Sequence, residues 1–167
     1  MWLQYHRAVD DSKTVRSEKR LAQAFVRYLV RVTKRHGLTV IRVLVIDREN
    51  RTGADVAHAL EGQVLLPTVV SSAEETMRQL HSKPPHAVVL AASPSDDGDE
   101  ELCRAICERT LAPVLVVARA DRQAGLERLL SAGADAHILE PLTAQVLVAQ
   151  LWALLRRVGL MNSRPAS

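Results

Sequence analysis

Val43-Leu44-Val45-Ile46-Asp47 and Val114-Leu115-Val116-Val117 decide the fold. Each is a run of β-rich apolar residues without polar alternation, so both faces of such a strand must be covered, as in a parallel sheet with helices on each side. Outward from these runs the same alternation recurs five times. Strands are predicted at 41–47, 64–70, 86–92, 113–118 and 135–139, with helices near 52–61, 72–82, 98–110, 122–132 and 143–158. The reading is a doubly wound α/β domain. Pro67 lies within the second strand and lacks the amide a central ladder needs, so that strand belongs at an edge, where a 2-1-3-4-5 order puts it. Ser71 with Glu74, or Ser72 with Glu75, offers a capping box to the following helix.

The 167 residues, 47% hydrophobic and 25% charged, leave room for one domain plus an appendage and exclude collagen-like, disordered and disulfide-scaffold classes. No apolar run approaches the roughly 18 residues that span a bilayer, and Met1-Trp2-Leu3-Gln4-Tyr5-His6-Arg7 lacks the apolar core of a signal peptide. A cytoplasmic protein without a membrane partner is the expectation. Cys103 and Cys107 are the only cysteines, compatible with a reducing compartment. Aromatics at 3% speak against base-stacking modules.

Net charge is +3, yet residues 1–41 hold nine Lys/Arg against Asp10, Asp11 and Glu18, while the remainder is mildly acidic. The chain therefore divides into a basic segment, 1–40, a domain, 41–158, and a tail, 159–167. From Asp11 to His36, Leu21, Ala24, Phe25, Tyr28, Leu29 and Val32 recur at helical spacing, and Lys34, Arg35, His36 and Gly37 form a stop signal. About 26 residues would make a rod of roughly 39 Å, whose apolar stripe must pack on something.

Ligands of such sheets bind beyond the carboxyl ends of the strands. There Val43-Leu44-Val45-Ile46-Asp47, the Gly133-Ala134-Asp135 that leads into strand five, Pro141 after it, and their spacing resemble the receiver domain of bacterial response regulators, over about residues 41–158. The resemblance implies a flavodoxin-like fold and four chemical positions: an acidic pair after strand one, a phosphoacceptor aspartate ending strand three, a hydroxyl after strand four and a lysine after strand five. Carboxylates would bind a divalent cation, and metal, hydroxyl and ammonium would stabilise the transferring oxygens. This sequence keeps Asp47 but has Arg48 at the second acid, Ala91 at the acceptor, Ala118 at the hydroxyl and Glu140 at the lysine. A methyl group cannot be phosphorylated, and Arg48 puts a fixed cation where the metal would be expected. The expectation is a pseudo-receiver: no enzyme activity, no cofactor, no metal site. The two charge reversals further suggest an Arg48–Glu140 ion pair across the dead site. A displaced acceptor among Asp96, Asp97 and Asp99 is the active alternative, but such a carboxylate is not held in line for attack.

Cys103 and Cys107 share a helix face, a spacing open to soft metals or oxidants, but without further ligands nearby they read as small buried hydrophobes. The six histidines show no ligand spacing, and His137 stands where receivers usually carry an aromatic residue. On the last helix Leu147, Leu151 and Leu154 face the sheet, and Val148, Trp152 and Leu155 form a second stripe. Receivers commonly carry a polar residue at the position of Trp152. Burying an exposed tryptophan there is worth roughly 2 kcal/mol or more.

A partner is therefore expected on Val148, Trp152 and Leu155, with Leu21, Phe25, Tyr28, Leu29 and Val32 as the matching stripe, from the same chain or from a second copy in a homodimer. The reading is phosphorylation-independent protein interaction in signal transduction. Nucleic-acid binding through the basic helix, with possible control of transcription, is the second class.

Overall fold

A computed structural model describes residues 40–61, 64–92, 97–122 and 125–158. The helix expected over Asp11–His36, with Leu21, Phe25, Tyr28, Leu29 and Val32, lies outside the described residues, as does the tail.

Among the described residues five strands alternate with five α-helices: β1 (Ile41–Asp47), α1 (Gly53–Leu60), β2 (Leu65–Val70), α2 (Ala73–Ser82), β3 (Ala87–Ala92), α3 (Asp97–Cys107), β4 (Val114–Arg119), α4 (Leu126–Ser131), β5 (Ala136–Glu140) and α5 (Ala144–Arg157). The strands form one parallel sheet in the order β2-β1-β3-β4-β5. Pro67 therefore sits on an edge strand, paired with Val43 on one side only. The predicted strands agree to within a residue at each end. The fourth helix departs most, since Ala120–Arg122 is a short 3₁₀ turn and α4 starts only at Leu126.

Alternation along each strand sorts the core into two layers. Leu44, Ile46, Val88, Leu90, Val114 and Val116 point to one face, where Leu80 of α2, Leu102 and Ile106 of α3 and Leu129 of α4 cover them. Val43, Val45, Val89, Leu115 and Val117 point to the other and are equally buried. On that face α1 and α5 pack against each other. Fully burying one such side chain contributes about 1.5–3 kcal/mol, which is why the apolar runs cannot serve as surface strands.

Two local features explain conspicuous residues. Gly133 has φ +118, and a Cβ there would lie 2.9 Å from the Cβ of Cys107, so both backbone and packing demand glycine. Asp135 accepts the Val114 N–H at 2.7 Å on Oδ2 and returns its own N–H to the Val114 carbonyl at 2.9 Å, fastening β5 to β4 at their starts. Of the two candidate boxes, Ser72 forms the cap: its Oγ accepts the Glu75 N–H at 3.1 Å. The Glu75 carboxylate turns to Gln79 and Arg78 instead of returning to the cap, so the box is half made.

Candidate functional site at the strand tips

Parallel register brings the expected positions to one edge of the sheet. Asp47 lies opposite Ala91, Ala92 opposite Ala118, and Arg119 opposite Glu140. Asp47, Ala91, Ala118 and Glu140 thus sit at or beside the carboxyl ends of four neighbouring strands. Ala118 is buried in the core layer.

Asp47 is 3% exposed. Its Oδ2 accepts two amides, Thr52 N–H at 2.8 Å and Gly53 N–H at 2.7 Å. These are donors a helix start leaves without intrahelical partners, so Asp47 caps α1 from the end of β1. The close approach explains Gly53: a Cβ there would stand 2.9 Å from the Asp47 Cβ and 3.0 Å from Cγ1 of Val69. Thr52 occupies the usual cap position without making a side-chain cap bond. Its hydroxyl instead donates to Glu140 Oε1 at 2.7 Å, tying α1 to the tip of β5.

This arrangement corrects the expected Arg48–Glu140 pair. Arg48 donates through Nη1 to Asp99 Oδ1 at 2.9 Å, bridging the β1–α1 loop to the first turn of α3, while Glu140 takes the Thr52 hydroxyl. Asp99 has 5% of its side chain exposed and Arg48 35%. An almost buried carboxylate needs a partner more urgently than one at a solvated strand tip, and Arg48 serves the deeper charge. Of the three loop aspartates, Asp99 is therefore engaged with a guanidinium, Asp97 opens α3, and Asp96 lies outside the described residues.

The resemblance implies a divalent cation here, and the residues do not fit one. Asp47 spends Oδ2 on two amides, the next residue is a cation, and Ala91 offers no side-chain oxygen. Among the described residues no group of three or more His, Cys, Asp or Glu is placed to hold a metal ion.

Beside the tips opens a cleft of about 770 Å³ between α1 and the ends of β4 and β5, with Thr52, Asp55, Arg119, Asp121, Glu140 and Pro141 in its walls. Arg119 is clamped by Asp121 through Nε at 2.9 Å and Nη2 at 2.8 Å, which raises the guanidinium further above its ordinary range. Thr52 escaped the sequence reading, and Asp99 entered it as a candidate displaced acceptor, not as the partner of Arg48. Their signal was slight, a threonine before Gly53 and one acid in an acidic run.

The stripe expected to meet a partner on the last helix is buried within the chain. Val148, Trp152 and Leu155 are 8%, 0% and 0% exposed within the single chain, and Trp152 and Leu155 are as deeply buried as Leu147 and Leu151. The Trp152 indole Nε1 has no hydrogen-bond partner. Cys103 is buried, its thiol pushed up to about 12 chiefly by burial, then by the neighbouring Cys107. Burial likewise raises the Cys107 thiol. Thiols so shifted are neither ready ligands nor ready nucleophiles. His137 is exposed. No helix among the described residues is long and apolar enough to cross a membrane.

No protein-family profile matches the chain. Transcriptional regulatory protein BaeR of Escherichia coli O6:H1 is 29% identical over 121 residues, covering 70% of this chain and 48% of BaeR. Transcriptional regulatory protein CseB of Streptomyces avermitilis is 39% identical over 89 residues, 51% of this chain and 37% of CseB. Sensory transduction protein BceR of Bacillus subtilis is 24% identical over 129 residues, 77% and 55%. The chain thus spans about half the length of these relatives or less. Among solved structures, a two-component response regulator from Clostridium difficile superposes with a TM-score of 0.63 at 25% identity, covering 74% of this chain and 99% of that one. A CheY-like receiver domain protein from Methanospirillum hungatei JF-1 gives 0.63 at 18% identity, 71% and 96%. The described domain has the fold of a response-regulator receiver, and the chain is homologous to response regulators.

Proposed function

We propose that this chain is a pseudo-receiver, a phosphorylation-independent protein-interaction module of two-component signalling. One observation carries the reading. At the strand tips the acceptor position is Ala91, and the neighbouring acid position is Arg48, bonded to Asp99. In a working site, metal and phosphoryl group would bridge the tips. Here the chain's own groups make the bridges: the Asp47 carboxylate to the first amides of α1, the Thr52 hydroxyl to Glu140, and Arg48 to Asp99. Such a site holds one arrangement without a transferable group, so its output is set by what binds the surface.

The test is incubation with acetyl phosphate and magnesium, read by intact mass, alongside titration with beryllium fluoride read by amide shifts. Unchanged mass and no saturable shifts are expected. An acyl-phosphate on any carboxylate at the tips overturns the reading.

Outside the described residues the sequence carries a second apolar stripe, Leu21, Phe25, Tyr28, Leu29 and Val32. We propose that stripe as the homodimer contact. Light scattering should find a dimer that Phe25→Glu with Tyr28→Glu converts to a monomer; a monomeric wild type removes the dimer proposal.

A further inference from the structure

The opposite end of the sheet carries an arrangement that the strand-tip site does not use. Arg42 is the second residue of β1, and His86 immediately precedes β3, its neighbour in the sheet. The His86 N–H donates to the Arg42 carbonyl at 2.8 Å. In return the Arg42 N–H donates to the imidazole Nδ1 of His86 at 2.9 Å. A side chain thus stands in for a backbone acceptor one residue before the ladder begins at Val43 and Ala87. The Arg42 guanidinium turns the same way and donates through Nε and Nη2 to the Pro84 carbonyl, at 3.2 and 2.8 Å.

A backbone amide only donates. Nδ1 must therefore present its lone pair, and the neutral ring carries its proton on Nε2. Protonation would put an N–H against an N–H and remove this rung. Burial first, and the Arg42 charge second, hold the half-buried imidazole below its ordinary value of 6.5. Among the described residues Arg42 is the charged group that acts on the ring, and no carboxylate acts to favour the imidazolium.

We propose that His86 is a pH-sensitive latch on the first rung between β1 and β3, closed while the imidazole is neutral and opened by its protonation. Acid would then loosen the sheet where the chain enters β1 from the basic segment 1–40. A histidine lowered in the folded state contributes stability that is fully present above about pH 6.5, the unfolded value, and is lost as pH falls through the folded value.

The experiment is a pH titration of the full chain by amide NMR and hydrogen exchange, with His86→Asn and His86→Phe alongside. Asparagine offers an oxygen near the Nδ1 position but does not titrate, and phenylalanine offers no acceptor. In the wild type, the Arg42 amide shift should follow His86 with a midpoint below 6.5. Its exchange, corrected for intrinsic rate, should rise roughly two- to tenfold on protonation, the range expected for one net hydrogen bond. His86→Asn should keep Arg42 protected through the whole range, and His86→Phe should leave it open throughout. An Arg42 amide indifferent to His86 protonation, a His86 midpoint at or above 6.5, or an unchanged acid response in His86→Asn would each overturn the latch.

Discussion

Asp47 illustrates how one residue can answer to two readings that a sequence does not separate. Its position matches a metal-binding acid, yet its carboxylate is committed to the start of α1. Loss of a helix cap costs about 0.5–2 kcal/mol, and a buried amide left without an acceptor about 1–3. Asp47→Ala should therefore lower stability by about 2–4 kcal/mol, and Asp47→Asn, which keeps one oxygen, by less; urea unfolding measures both. Equal losses would mean that the amides find another acceptor. Arg48 yields a sharper test. A double-mutant cycle of Arg48→Met with Asp99→Asn should show a coupling of about 0.5–3 kcal/mol, because the two touch. The cycle of Arg48→Met with Glu140→Gln should be additive, because they do not.

Among the elements, α5 is the one whose burial bears most on a partner. Two adjacent stripes looked like one face for the core and one for a partner, and both are buried. Truncating a large core side chain costs about 3–5 kcal/mol, so Trp152→Ala should destabilise by that order, and Trp152→Glu should unfold the domain rather than merely separate copies. Trp152→Phe should cost distinctly less, since it fills most of the space and removes an indole N–H that has no acceptor. Thermal melts rank the three. At the start of α2 the Ser72 cap is a smaller effect: Ser72→Ala should cost about 1 kcal/mol.

The strand order governs how the whole molecule opens. β1, β3 and β4 each have a strand on both sides, whereas β2 and β5 are edges, and β2 carries exposed Leu66 and Val69 as well as Pro67. Native-state hydrogen exchange should find the slowest amides in β1, β3 and β4, with β2 and β5 opening at lower free energy. Protection of β2 equal to that of β3 would contradict this hierarchy.

The sheet, its order and the positions at its tips were legible in the amino-acid sequence. Runs such as Val43–Ile46 admit only a doubly covered strand, and Pro67 admits only an edge. The identities of Ala91, Arg48 and Glu140 at those positions were likewise plain, because a side chain's type alone determines whether it brings an oxygen or a cation. What only the tertiary structure decided was pairing and burial. Arg48 meets Asp99 across 51 positions of chain, Thr52 meets Glu140 across 88, and Trp152 is enclosed within its own chain. Periodicity says which side of a helix is apolar. Which carboxylate lies deepest, and therefore captures the nearest cation, depends on desolvation that arises only once distant segments are packed together.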